Sequence, residues 1–426
     1  MPKVFYIVTN PISGGAKGND LIKIAVPGGL HLLDAALDLD VNVHIFDIRE
    51  GASGSKPAFL SLKKHVEEAE AGCLPIPIVV AGGDGTVLWA MSEIADHGIS
   101  PESVAVGVLP FGTGNDFSRA TKWGGSVPLS VVGKDLKHLK RLIKGYLGGV
   151  TKGFDLWDVE VSLKENGGIY QIKGGKKTLI SDNSSELSKS DINPEGYKTP
   201  ESEDDKQRTV VLSPKNTKNI ALTRKCCNYF SLGVEARVGQ GFARHRTKSV
   251  ICNKMVYGCE GTKKMFMNTG RIRDWLSHVE INGNPVDLSV SDPASLVFLN
   301  IPSISGGVDF WNVAKPVPVF ASQEEGEARF PAGSATPQTF FDHKMEVITV
   351  PSLFSFARSL LSAKGAATKQ AQAAGPFSLV FRDNIHEQRV YFQVDGEFFQ
   401  VQGPHSINIK WARSVQVLVN EKPSTP

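Results

Sequence analysis

The stretch IVVAGGDGTVLWAM, residues 78–91, decides the fold. An apolar run rich in β-branched residues halts at two glycines, an aspartate, a glycine and a threonine. Apolar residues then resume at helical spacing. A buried strand that feeds a helix through a glycine turn is the repeating unit of a parallel α/β sheet. The flanking sequence repeats the unit. VFYIVTN (4–10), VNVHIFDI (41–48) and VAVGVLPFG (104–112) read as strands. LHLLDAALDL (30–39), PAFLSLKKHVEEAE (57–70) and DLKHLKRLIKGY (135–146) read as helices. Residues 1–150 are therefore expected to form an α/β domain with a parallel sheet covered on both faces.

The pattern changes beyond residue 150. Residues 165–218 are rich in Ser, Asp, Glu, Lys and Pro and have little to bury, so they read as a polar insertion. A second polar stretch spans 314–341. Between and after them KCCNYFSLGV (225–234), SHVEINGNPVDLSV (277–290), ASLVFLNIPS (294–303), KMEVITVPS (344–352), PFSLVFR (376–382), RVYFQVDGEFFQVQG (389–403) and INIKWARSVQVLV (407–419) lean to β. EINGNPV and FQVDGEFF carry hairpin turns. SFARSLLSAKGAATKQAQ (355–372) reads as a helix. Residues 151–426 are expected to form a mostly antiparallel β-sandwich.

The totals fit this division. A chain of 426 residues is long for one core and suits two domains of about 150–200 residues. Net charge is +3, which implies no global acidic or basic partner. Five cysteines without CxxC spacing give neither a zinc site nor a disulfide framework and fit a reducing compartment. The apolar run near the start is too short for a secretory leader, and no run is long enough to span a bilayer.

Chemistry concentrates in three glycine-rich turns that leave strands: TNPISGGAKG (9–18), GGDGT (82–86) and GTGND (112–116). Each lies where open parallel sheets bind ligands, at the carboxyl end of a strand. Glycine lets backbone approach a phosphate, and the amides of a helix start favour the anion. A carboxylate there repels phosphate unless a cation intervenes, so Asp84 points to magnesium. A tight turn whose aspartate caps the helix would use the same residues. Three such turns with Asn10, Ser13, Asp84, Thr86, Thr113 and Asn115 on one rim form a nucleotide cleft. No GxxxxGK[ST] loop occurs.

At this point the chain resembles the diacylglycerol kinase family. NPISGG, GGDGTV and LPFGTGND match its motifs, and NYFSLGVEARV (228–238), FLNIPSISGGVDFW (298–311), HKMEVITV (343–350) and VYFQVDGEFF (390–399) follow in the family's order. The resemblance implies an α/β nucleotide domain, a β-sandwich and an active site between them. It implies transfer of phosphate from ATP, with Mg2+, to the free hydroxyl of diacylglycerol. ATP would contact Asn10, Ser13, Gly14, Gly82, Gly83, Gly85 and Thr86, with Gly112, Thr113, Gly114 and Asn115 ordering or completing the cleft. In bacterial relatives a carboxylate of the DGE element is the general base. It maps to Glu397, with Asp395 beside it and Asp84 as a rival. Asp342 maps near a structural metal of some bacterial relatives, although His343 replaces the family's glycine.

The family also implies a cytoplasmic protein that meets its lipid at a membrane face. Residues 237–273 hold nine Lys or Arg against one acid, interleaved with apolar residues, which suits an anionic lipid surface. An amphipathic helix with a solvated basic face has the same composition. No nucleic-acid module accompanies the charge. Sphingoid-base and ceramide kinases usually show SGDG and GSGN in place of the turns seen here. A non-catalytic nucleotide-binding regulator is the reading outside the enzymes.

Overall fold

In the computed structural model, β4 (Ile76–Gly82) is the spine of the first half, and each of its neighbours is parallel to it or follows from it. The structure describes residues 3–69, 75–126, 130–173, 176–180, 220–234, 236, 271–286, 293–315, 336–360, 364–365, 367–385 and 389–421. The chain opens with β1 (Lys3–Thr9), α1 (Ser13–Ile22), β2 (Leu30–Asp34), β3 (Leu39–Asp47) and α2 (Pro57–Glu68). After β4 come α3 (Asp84–Asp96), β5 (Val104–Pro110), α4 (Asp116–Ala120) and α5 (Lys137–Leu147). Parallel ladders join β3 to β1, β1 to β4 and β4 to β5.

Alternation along these strands feeds two cores. Tyr6, Val8, Ile78, Val80, Val106 and Val108 face Phe59, Leu62 and Trp89 of α2 and α3. Phe5, Ile7, Val79, Ala81 and Leu109 face Leu21, Leu139 and Ile143 of α1 and α5. Burying one such Phe, Leu or Ile stabilises the fold by roughly 1.5–3 kcal/mol. Residues 30–39 are not the expected helix. They form β2, a 3-10 turn over Ala35–Leu37 and the start of β3. The Asp34 carboxylate accepts from the Leu37 amide at 3.2 Å, and Asp38 takes a left-handed φ of 47°. The buried Leu32 beside the exposed Leu33 is period-two alternation, which a leucine count hides.

The second half is mostly antiparallel. It comprises β6 (Val150–Lys173), β7 (Lys176–Leu179), β8 (Ile220–Cys226), β9 (Tyr229–Gly233), α6 (Ile272–Trp275), β10 (Leu276–Ile281), β11 (Asn284–Val286) and β12 (Ser295–Leu299). Then follow α7 (Phe310–Val313), β13 (Met345–Val350), α8 (Leu353–Leu360), β14 (Thr368–Ala373), β15 (Phe377–Phe381), β16 (Val390–Val394) and β17 (Glu397–Val419). Both expected hairpin turns form, at Asn282–Gly283 and Asp395–Gly396, each pair with positive φ. β17 pairs with β16, β15 and β6, and its Val417 then lies parallel beside Val106 of β5. Val415, Val417 and Val419 complete the core that contains Val106 and Val108.

Three further expectations change. The polar insertion begins later than residue 165, because β6 continues to Lys173 and β7 follows; residues 181–219 lie outside the described residues. The 355–372 helix stops at Leu360, and 368–373 is β14, the antiparallel partner of β13. The 225–234 strand breaks at Cys227–Asn228, between β8 and β9. Residues 316–335 of the second polar stretch and 237–270 of the basic stretch also lie outside the described residues. Among the described residues no helix is long and apolar enough to cross a membrane.

One buried acid sets a pH dependence. Glu346 of β13 is 0 % exposed and accepts from Gln338 Nε2 at 2.6 Å and Gln372 Nε2 at 3.0 Å. Burial pushes its carboxyl up to about 8, and the Asp342 charge adds to the shift. A raised acid stabilises the fold fully below its unfolded value of 4.5 and loses that contribution as pH rises through about 8. Melting curves from pH 5 to 9 should show stability falling. Glu346→Gln, which carries no proton to lose, should reduce that fall by about 1 kcal/mol or more. An equal fall in both proteins would refute the assignment.

Candidate active site

The carboxyl ends of β1, β4 and β5 share one rim, and backbone contacts lock their turns together. The Asn10 amide donates to the Ala81 carbonyl at 3.1 Å, which ties the first turn to β4. Ser13 and Gly14 then open α1, and the Ser13 amide donates to the Asn10 carbonyl at 3.0 Å. A Cβ on Gly18 would meet that carbonyl at 2.2 Å. At the second turn the Thr86 side chain lies over Gly82, where a Cβ would approach within 2.6 Å. A Cβ on Gly112 would come within 2.7 Å of Gly83 Cα, so the second and third turns touch backbone to backbone. Gly85 differs. Among the described residues nothing lies within 4 Å of the Cβ it lacks, and it is exposed.

Asp84 is the first residue of α3, yet its carboxylate serves another helix. Its two oxygens accept from the Asp116 and Phe117 amides, both at 3.1 Å. These amides open α4 and have no partner inside it. Burial, then the neighbouring Asp116 charge, pushes the Asp84 carboxyl up to about 7, against the pull of the two amides. Asp116 in turn accepts from Ser303 Oγ at 2.6 Å and from the Gly306 and Gly307 amides at 3.0 and 3.1 Å. Burial raises its carboxyl and these donors oppose the shift. Asn115 takes the left-handed conformation, with φ 53°. Its Nδ2 donates to the Gly112 and Gly125 carbonyls at 2.9 Å, which orders the third turn. Thr113 and Gly114 stay partly exposed on it. Arg119 Nε donates to the Gly114 carbonyl at 3.3 Å, and its guanidinium fills the space a Gly125 side chain would need.

The second half meets this rim with its own acceptors. Asp395, at φ 49° in the β16–β17 turn, accepts from three successive amides: Cys227 at 2.7 Å, Asn228 at 2.8 Å and Tyr229 at 2.9 Å. Burial raises its carboxyl while the amides pull it back. Its charge also adds a smaller upward push on the Asp84 carboxyl. Asn300 Nδ2 donates to the Asp155 and Cys227 carbonyls at 2.9 and 2.7 Å, and its Oδ1 accepts from Trp157 Nε1 at 3.0 Å. Glu397 is half-buried, with Arg224 Nε 3.6 Å away. Burial raises its carboxyl and Arg224 opposes that shift.

The first and second turns, Asp84, Asp395 and the GTGND turn are thus brought together, and Glu397 stands two residues from Asp395. Asp342 accepts from the Lys344 amide at 3.2 Å and acts on Glu346 instead. Among the described residues no three His, Cys, Asp or Glu side chains form a metal-binding group. Sequence reasoning left Asp116, Arg119, Asn300 and Ser303 without roles. Asp116, Asn300 and Ser303 sit inside quoted motifs, and Arg119 lies three residues past one. The available signal was a polar residue at a strand end or helix start, where backbone donors need acceptors.

Comparison with known proteins agrees with this layout. The diacylglycerol kinase catalytic domain matches residues 4–144, and the diacylglycerol kinase accessory domain matches residues 225–398. The eye-specific diacylglycerol kinase of Drosophila melanogaster is 28 % identical over 326 residues, 73 % of this chain and 17 % of that protein. Diacylglycerol kinase zeta of Rattus norvegicus is 28 % identical over 319 residues, 72 % of this chain and 27 % of its own length. Diacylglycerol kinase 2 of Arabidopsis thaliana is 25 % identical over 241 residues, 55 % of this chain and 26 % of its own. The chain therefore spans less than a third of the length of these relatives. With both domains matched in order, the chain belongs to the diacylglycerol kinase family.

Proposed function

We propose that the chain transfers a phosphoryl group from ATP to the free hydroxyl of diacylglycerol, giving phosphatidic acid and ADP. The observation that carries this reading is the run of hydrogen bonds from the Asp116 amide to Asp84 and from Ser303 and Gly306 to the Asp116 carboxylate, which ties the glycine turns to the second half. In this reading residues 1–150 supply the nucleotide side, and 151–426, closed as a sandwich, supply the lipid side. Both sides meet at a membrane face, where the acceptor lipid resides.

Phosphoryl transfer requires positioning, neutralised charge and a base near the acceptor oxygen. The turns at Asn10–Gly14, Gly82–Thr86 and Gly112–Asn115 would hold the phosphates. Gly85 supports this, because its missing side chain leaves space that no described residue fills. The α3 amino terminus adds favourable partial charge. Asp84 is the carboxylate that would hold magnesium beside the phosphates, and the ion would supply charge neutralisation there. A cation at Asp342 has less support, since no third ligand of the usual kinds joins it among the described residues.

For the base, Glu397 is better supported than Asp395. The oxygens of Asp395 already serve three amides, and losing them would open the 227–229 turn. Burial raises the proton affinity of Glu397, and Arg224 holds its orientation. A positioned base is worth about 10²–10⁴ in rate.

Transfer of labelled phosphate to diacylglycerol, ceramide and sphingosine, compared side by side in detergent micelles, tests the reading. Diacylglycerol should be the preferred acceptor, with activity lost on chelation of magnesium. Preference for sphingosine would move the chain to the sphingoid-base kinases. Asp84→Ala should lower turnover by about 10²-fold or more. That variant also uncaps α4, so a second variant separates binding from folding. Gly85→Ala meets no steric obstacle and should melt at or slightly above the wild type, since Ala favours a helix. Its kcat/KM should nevertheless fall at least about tenfold as the added methyl enters the phosphate cradle. Full activity in Gly85→Ala would remove the cradle from the proposal. Gly112→Ala, by contrast, should destabilise the fold itself by about 1–3 kcal/mol.

A further inference from the structure

We propose that the outer face of α8, with the 364–365 turn and Lys315 beside it, docks on an anionic lipid bilayer. Phe354 is 60 % exposed on this helix, and Arg358, four residues on, shares its face and is also exposed. The C-terminal side of the helix is fixed to α7: the Gly365 amide donates to the Val313 carbonyl at 2.8 Å, and the Lys315 amide donates to the Ala367 carbonyl at 3.0 Å. Lys315 and Lys364 therefore flank the same edge, and Lys369 Nζ lies 4.4 Å over the Trp311 ring nearby.

Charge selects the partner. Between Glu346 and Asp383 the sequence contains no acid, while it contains Arg358, Lys364, Lys369 and Arg382. Among the described residues Lys315, Arg358 and Lys364 form no ion pair. A wet aromatic among unpaired cations complements a surface with an apolar interior and anionic headgroups. An acidic protein patch would match the cations and leave Phe354 in water.

The underside of α8 connects this face to the crevice. Phe356 is 1 % exposed, and its ring packs at a tilt, 5.8 Å from that of Phe310, the first residue of α7. Phe310, Phe356 and Ile304 belong to one core, and Ile304 sits in the loop that holds Asp116. A docked α8 would bring the crevice to the face where diacylglycerol resides. In that respect the inference rests on the proposed lipid kinase reading.

Flotation of the full chain with phosphatidylcholine vesicles, with and without phosphatidylserine and without ATP, tests it independently of turnover. The wild type should float only with phosphatidylserine, and less so as salt is raised. Phe354→Ser combined with Arg358→Glu and Lys364→Glu should cut the bound fraction by roughly tenfold or more, while transfer to diacylglycerol in neutral micelles stays within about twofold. Undiminished binding of this variant overturns the proposal. So does equal binding to neutral vesicles, or loss of binding only on Lys263→Glu with Lys264→Glu in the other basic stretch. A wild-type dimer that becomes monomeric in the α8 variant would assign the face to a second copy of the chain and also overturn it. Lipid-dependent flotation without phosphate transfer to any acceptor would leave the docking face standing and refute the kinase reading.

Discussion

The grip of Asp116 on the 303–307 loop is the interaction on which the crevice depends. A carboxylate taken out of water is costly unless donors replace the solvent. Asp116 receives a hydroxyl and two amides from a segment nearly two hundred residues away. Its own amide is meanwhile held by Asp84. One chain of acceptors thus runs from the end of β4, through the start of α4, to the loop after β12. Asp395 repeats the device with the three amides of 227–229. Removing any of these carboxylates strands backbone donors, each at a cost of about 1–3 kcal/mol where buried. The two halves are therefore joined by side-chain acceptors clasping backbone amides, which fix direction more tightly than long flexible ion pairs.

The same device creates electrostatic tension. Asp84, Asp116 and Asp395 all have carboxyls raised by burial, and the charges of Asp116 and Asp395 both weigh on Asp84. Burial and the two neighbouring charges raise the proton affinity of Asp84, against the pull of the amides it accepts from. The bare GGDGT motif carries no hint of this. It comes from the second and third carboxylates, which the sequence places 32 and 311 residues away.

Local signals were legible where backbone chemistry alone decides. The glycine turns, the parallel strands and the Asn-Gly and Asp-Gly hairpins could be read because period, φ and turn type are properties of a few consecutive residues. The reading failed at 30–39, where a leucine-rich run pairs with β3, and at 368–373, where β13 recruits a strand from a segment of helical composition. In both cases a partner strand overrides local propensity. The site was half legible for a related reason. Asp84, Thr86 and Asn115 stand in recognisable motifs, but whether a carboxylate faces a ligand or an amide depends on contacts distant in the chain. Asp395 looked like a catalytic neighbour of Glu397, and its three amide donors give it a structural role as well.

β17 explains why the crevice lies where it does. Its first residue, Glu397, leaves the Asp395 turn, and its last stretch lies beside β5, whose far end carries the GTGND turn. Along its length it is hydrogen-bonded to β6, from Phe398 with Ile172 to Val419 with Val150. The strand that begins at one wall of the crevice thus ends inside the sheet that builds the other. Hinged opening between the halves would have to break that ladder, or the buried packing of Val415, Val417 and Phe154 beneath it. The 303–307 loop is tied to both Asp116 and the α7–α8 core. Order at Asp116 and order in the α7–α8 core therefore depend on the same segment.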